Sequence, residues 1–197
     1  PYVIRDVKGV SVALVGITHP KIPFWSRQVL MRGVAVERPV TALLRVMPRV
    51  RAEKPDVVIL VAHLGYDSDS NTLEPWLTDV VKMFPDIDLV IGGHTHTPVP
   101  SARFGQVLYT QAAYHGITLG EAHILYDTEG RRVLKTRATL IPVEGVMTSI
   151  PPDACYADAV RMAEDAADEE LCMIDGVLGG DKVYDAESPE QTLLCEA

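Results

Sequence analysis

An α/β fold is predicted by three features of the sequence. Val57–Ala62 and Leu89–Ile91 are short, continuous apolar runs of the kind buried on both faces of a sheet, and each follows an amphipathic segment of helical period. From Val107 onward the helical period gives way to successive β-rich runs.

The elements follow in order. Tyr2–Val7 and Val10–Ile17 flank Lys8-Gly9, a short turn between two β-rich runs, which predicts a hairpin. Between Pro39 and Lys54, Val40, Leu43, Leu44, Met47 and Val50 recur at helical spacing, with a kink or break expected at Pro48. The strand Val57–Ala62 ends at His63. Asn71 is the expected N-cap of a second helix, whose stripe is Leu73, Leu77, Val80, Val81 and Phe84. The strand Leu89–Ile91 runs directly into Gly92-Gly93-His94-Thr95-His96. Three further strands are expected at Val107–Ala112, Ile117–Tyr126 and Arg132–Pro142, the last two joined by a turn at Asp127–Gly130. After Pro151-Pro152, the spacing of Tyr156, Val160, Ala163, Ala167 and Leu171 predicts an acidic helix, followed by a Gly- and acid-rich tail.

Composition narrows the function classes. With 47% hydrophobic and 23% charged residues the 197-residue chain is ordinary globular protein. Its net charge of -9 is concentrated at one end: residues 151–197 hold 13 of the 27 acids and only two bases, Arg161 and Lys182. A near-neutral body with an acidic end lacks the clustered Lys and Arg that hold phosphate backbones, so duplex nucleic acid is not an expected partner. No apolar stretch reaches the roughly 18 residues needed to span a bilayer. Cys155, Cys172 and Cys195 show no CxxC spacing, so the sequence does not support a zinc knuckle or redox motif.

The chemistry-bearing residues sit at strand ends. In open α/β sheets ligands collect at the carboxyl ends of strands, and His63, His94 and His96 all follow such ends. Glycines allow a tight exit from the strand, and in an extended segment alternate residues project the same way, so His94 and His96 are expected to face one site. Imidazole suits zinc, manganese, iron or cobalt, which makes the three histidines candidate metal ligands. His19 is read as a loop histidine near the same edge, His115 as a turn residue and His123 as a structural strand residue. Asp67 and Asp69 lack the Gly and distal Glu of a calcium loop and are read as solvated loop acids. Serine-hydrolase, P-loop and dinucleotide motifs are absent.

Three segments together, VVILVAHLG (Val57–Gly65), DLVIGGHTHTP (Asp88–Pro98) and QVLYTQAAYHGITLG (Gln106–Gly120), resemble the calcineurin-like metallophosphoesterases, and within them the 5′-nucleotidase and 2′,3′-cyclic-nucleotide phosphodiesterase branch. GVSVALVGITHPKIPFW (Gly9–Trp25) is similar to a strand and loop of the cyclic phosphodiesterase members. The resemblance covers roughly residues 1–145. It implies a two-sheet α/β sandwich flanked by helices and a site for two divalent cations bridged by an aspartate. His63 and His94 would ligate one cation and His96 the other. The family's D-x-H and G-N-H-[DE] motifs do not occur in this sequence, and Tyr114-His115-Gly116 departs from the usual tyrosine-glycine.

These features lead to the expectation that residues 1–150 are the later part of a metallophosphoesterase catalytic domain. Residues 151–197 would then be an acidic connector toward a further domain. The expected activity is metal-dependent hydrolysis of nucleotide phosphate esters by the parent protein, with little turnover by this chain alone. The resemblance also implies a periplasmic or extracellular location. Two other readings are a binding module that keeps the fold without the reaction, and a related metal-dependent hydrolase acting on a non-nucleotide substrate.

Overall fold

A computed structural model describes residues 2–27 and 29–144, together with 156, 158 and 160–162. The chain divides into two units, Pro1–Met147 and Thr148–Ala197. In the second, the described residues Tyr156, Asp158 and Val160–Met162 are helical, and Arg161 pairs with Asp158 at 3.0 Å. The remainder of the expected acidic helix, the tail and all three cysteines lie outside the described residues.

The first unit begins with the predicted hairpin, β1 (Tyr2–Val7) and β2 (Val10–Ile17). Lys8 and Gly9 both have positive φ, 55° and 85°, the geometry of the tight turn whose twist matches antiparallel strands. Next come α1 (Ile22–Trp25), α2 (Pro39–Ala52) and β3 (Val57–Ala62). Pro39 opens α2 where its missing N–H costs nothing, and the helix continues through Pro48, so the expected break does not occur. Leu43, Val46, Met47 and Val50 bury one face of α2, and that packing outweighs the single lost helical hydrogen bond.

The small strands β4 (Tyr66–Asp67) and β5 (Thr72–Leu73) form a two-stranded ribbon ahead of α3 (Pro75–Met83). Here the expected cap is corrected. Asn71 sits in the ribbon's turn at φ 53°, its side chain accepting the Tyr66 hydroxyl, and Glu74 occupies the N-cap. Pro75 sets this boundary, since the residue before a proline is driven to extended backbone, as Glu74 is at ψ 147°. Leu73 therefore belongs to β5, while Leu77, Val80 and Val81 form the helix's buried stripe.

The chain then forms β6 (Leu89–Ile91), β7 (Val99–Phe104), β8 (Val107–Gln111), β9 (Thr118–Asp127) and β10 (Arg132–Pro142). Six strands make one sheet in the order β1-β2-β3-β6-β8-β7, with β2, β3, β6 and β8 mutually parallel and β1 and β7 as antiparallel edges. The sequence pattern does not predict β7. It is an edge strand carrying Pro100 with a register shift between Val99 and Ala102, features that hide a strand's alternation.

One face of this sheet buries Ala13, Val15, Val58, Leu60, Val90 and Tyr109 against α2 and α3. On the other face the β9–β10 hairpin packs Ala138 and Ile124 over Leu89, Leu108 and Ile59. The result is the expected α/β arrangement of two sheets with flanking helices. No helix among the described residues is long and apolar enough to cross a membrane.

Asp56 ties the two sheets together. Its carboxylate accepts the Tyr126 hydroxyl of β9 and the Ser11 N–H at 2.9 Å, and it pairs with Arg131 at 2.7 Å. The Tyr126 hydrogen bond, then the Ser11 N–H and Arg131, hold this carboxyl below its usual range. A depressed carboxyl contributes stability above its unfolded value of about 3.9 and loses it as pH falls through the lower folded value. Asp56→Asn is therefore expected to lower the unfolding midpoint at neutral pH. The gap between mutant and wild-type denaturation curves should begin to shrink as pH falls below about 3.9 and close only below the lower folded value; a gap that stays constant across that range would show that the charge is irrelevant.

Candidate metal centre

The parallel strands β2, β3, β6 and β8 end at a common edge, and histidines leave three of them. His63 directly follows β3, and its N–H donates to the Ile17 carbonyl at 3.1 Å, joining the ends of β2 and β3. His94 follows β6. The His63 and His94 rings meet edge to face at 5.2 Å. His96 is exposed, with its ring 5.7 Å from Tyr114.

The loop from β6 is not extended. His94 and His96 both adopt left-handed backbone, at φ 77° and 57°, so simple alternation does not govern where they point. Such geometry costs on the order of 1–2 kcal/mol per non-glycine residue and persists only where the surroundings impose it. A polar clamp does so here. Gln111, fully buried at the end of β8, donates from Nε2 to the Thr97 carbonyl at 2.8 Å and to Thr95 Oγ1 at 3.1 Å. Its Oε1 accepts the buried Tyr109 hydroxyl, and Thr95 Oγ1 also accepts the Tyr66 N–H at 3.2 Å. Replacing Gln111 by Leu strands the Tyr109 hydroxyl and the Thr97 carbonyl. The expected loss is about 1–3 kcal/mol by denaturant titration.

Neither glycine before His94 has positive φ. Gly92 is needed for close approach, because a Cβ there would overlap the Tyr109 hydroxyl and ring. At Gly93 the nearest atom to an added Cβ would be His63 Nδ1 at 3.6 Å, ordinary contact. The glycine requirement is thus steric at position 92.

His19 departs from the loop-histidine expectation. It follows β2 but is only 3% exposed, with its ring 4.4 Å from His94 and 4.6 Å from Trp25. Trp25 stacks on His94 as well, at 5.0 Å and 19°. Burial first, and then the neighbouring His94, hold the His19 pKa below the usual histidine value. Glu74, at the start of α3, completes the cluster. Its Oε2 accepts the Gly65 N–H at 2.6 Å, and its Oε1 lies 3.9 Å from Nε2 of both His19 and His94. Among the described residues, His19, Glu74 and His94 form the tight group of ligand-type atoms, all within 4.8 Å of one another. No motif in the sequence pointed to Glu74, whereas Trp25 closes the loop that resembles the cyclic phosphodiesterase members. The available signal for Glu74 was an acid immediately before a proline that opens a helix.

Other candidates stay outside this edge cluster. His115 is an exposed turn residue with its ring against Tyr114, and His123 pairs with Glu121 across 3.2 Å on the exposed hairpin. Asp67 accepts the N–H groups of Asp69 and Ser70, an ordinary polar turn.

The architecture, a central parallel sheet with a second β-layer behind it, is shared with a solved calcineurin-like phosphoesterase. The structure superposes on a calcineurin-like phosphoesterase from Bacillus subtilis with a TM-score of 0.68 at 22% identity, over 84% of this chain and 57% of that one. In sequence, the chain is 32% identical over 118 residues to a trifunctional nucleotide phosphoesterase of Bacillus subtilis, which is 54% of this chain and 8% of the relative. It is 23% identical over 117 residues to a 2′,3′-cyclic-nucleotide 2′-phosphodiesterase/3′-nucleotidase of Salmonella typhimurium, 54% of this chain and 18% of the relative. Its curated relatives are thus 5′-nucleotidases, 2′,3′-cyclic-nucleotide phosphodiesterases and other metallophosphoesterases. The chain spans less than a third of the length of those relatives. No family model matches it.

Proposed function

We propose that this chain supplies the histidine side of a dinuclear metal site that hydrolyses nucleotide phosphate esters, of the 5′-nucleotidase or 2′,3′-cyclic-nucleotide phosphodiesterase type. The observation that carries the reading is the convergence of His63 and His94 at the carboxyl edge of the sheet, on a strained loop that Gln111 clamps. Imidazole donors at that edge, next to a carboxylate, fit zinc, manganese, iron or cobalt. When bound, the cations would lower the pKa of water and neutralise charge building on the phosphoryl oxygens.

His63 and His94 would hold one cation and His96, on the same loop, would face the other. Trp25 stacks on the His94 ring and would help to hold its orientation. Three imidazoles without a bridging carboxylate do not fix two cations, so these 197 residues alone bind metal weakly and turn over little. Ligands of the D-x-H and G-N-H-[DE] type complete the site. A location outside the cytoplasm is part of this proposal and rests on the resemblance to the family.

The test is hydrolysis of AMP and of 2′,3′-cyclic AMP by the native gene product. Activity is expected to vanish on chelation, return with manganese, cobalt or zinc, and disappear in His94→Ala but not in His123→Ala. Turnover that survives both the chelator and His94→Ala would sink the proposal.

A further inference from the structure

We infer that Glu74, steered by His19, determines which nitrogen of His94 is offered to a metal: it keeps the proton on Nε2 and leaves Nδ1 as the donor atom. The inference rests on the metal reading of His94 given above and deepens it.

The argument begins at His19. The Lys21 N–H donates to His19 Nδ1 at 3.1 Å, so that lone pair is engaged and the neutral ring carries its hydrogen on Nε2. Nε2 points at Glu74 Oε1 from 3.9 Å, in a pocket where the His19 side chain is almost fully buried. His19 therefore turns an N–H toward the carboxylate, at a separation too long for a hydrogen bond. Binding a cation through Nε2 would require moving that hydrogen to Nδ1, where the Lys21 N–H already stands. This rules against reading His19, Glu74 and His94 as a self-contained ion site, although their ligand-type atoms cluster within 4.8 Å.

Glu74 is held from two sides. The Gly65 N–H binds Oε2 at 2.6 Å, and the backbone returns the contact, with the Glu74 N–H donating to the Gly65 carbonyl at 3.1 Å. Gly65 has no room for a side chain, since an added Cβ would overlap Thr95 and approach the Gly93 carbonyl to 2.7 Å. The carboxylate is thus fixed against the same loop that carries His94. With Oε2 taken by the Gly65 N–H, Oε1 is left facing Nε2 of both His94 and His19, each at 3.9 Å, an electrostatic separation longer than a hydrogen bond. A carboxylate accepts and cannot donate, so the ring nitrogen it faces is the one that bears hydrogen. The other nitrogen of His94, Nδ1, is then the free lone pair. This is how outer-sphere carboxylates fix the tautomer of metal-binding histidines and raise their basicity.

Glu74 and His19 are positioning residues in this scheme, and neither touches the reacting atoms. The test follows individual ring nitrogens. Zinc is titrated at about pH 8, above the usual histidine pKa, into the chain labelled with 15N-histidine, with long-range 1H–15N correlation as the readout. The expected result is that His94 Nδ1 moves to the metal-bound range while His94 Nε2 and His19 Nε2 keep proton-bearing shifts. Glu74→Gln, which retains an acceptor for the Gly65 N–H, should weaken zinc binding roughly tenfold or more while His63 and His94 still respond. Zinc on His94 Nε2 or on His19 Nε2 would overturn the inference and leave the metal reading standing, as would unchanged affinity in Glu74→Gln. No response at either His63 or His94 would remove the metal reading itself, and this inference with it.

Discussion

Alanine at position 94 is expected to reduce zinc affinity by more than about a hundredfold, because outer-sphere partners of metal histidines are already worth 10- to 100-fold and a ligand is worth more. His63→Ala should match it, since the two rings share one edge at 5.2 Å. The informative companion is His94→Gly. His94 holds φ 77°, a conformation costing about 1–2 kcal/mol for any side chain with a Cβ, and glycine removes that strain. The variant also loses the ring's contacts with Trp25 and His19. These effects oppose each other at similar size, so His94→Gly should lose cation binding without a lower melting temperature. Isothermal titration with zinc and a thermal melt on each variant decide the matter. Binding retained in His94→Ala, or a melting temperature in His94→Gly that falls by more than a few degrees, would show that the strained backbone serves packing instead of a ligand.

The parts of the fold visible in the sequence are those that local pattern determines. The β1–β2 hairpin follows from Lys8-Gly9, and the buried strands β3 and β6 follow from short runs that are apolar on both faces. The face of α2 follows from the spacing of Leu43, Met47 and Val50. His63 and the His94 loop were visible because they stand directly at strand ends. Asn71 misled because a good capping residue lay near a helix start that Pro75 fixed instead. The role of His19 is set by sheet order. Only when β2 lies beside β3, and β3 beside β6, do residues 19, 63 and 94 become neighbours, and no local periodicity encodes that adjacency. Glu74 was hidden for a related reason: its partner Gly65 is nine residues back, across a ribbon whose two-residue strands leave no pattern. The β9–β10 layer was legible as strands, whereas its place as a second sheet came from the resemblance to a family.

Gly92→Ala, one residue past the end of β6, is expected to be strongly destabilising. Its Cβ would overlap the hydroxyl and ring edge of Tyr109, which is fully buried and cannot swing into solvent. Overpacking of this kind costs typically 1–3 kcal/mol, and here the displaced group is also a hydrogen-bonding one. Moving the Tyr109 hydroxyl breaks its bond to Gln111 Oε1, and Gln111 is the side chain that holds the carbonyl of Thr97 and the hydroxyl of Thr95. The strain is thus passed from β6 through β8 to the loop bearing His94. A loss near 3 kcal/mol is expected, close to Leu60→Ala in the same core, for which about 2–5 kcal/mol is typical. The two differ in consequence. Leu60→Ala leaves a cavity behind β3 and should spare zinc affinity in the folded protein, whereas Gly92→Ala should weaken it about tenfold by loosening the clamp. Tyr109→Phe, which removes the hydroxyl, tests the route. In a double-mutant cycle Gly92→Ala and Tyr109→Phe should be less than additive, since the second substitution removes part of what the first collides with. Additive losses would mean that the pressure from position 92 is relieved elsewhere, and that the glycine serves the strand's exit without acting on the histidine loop.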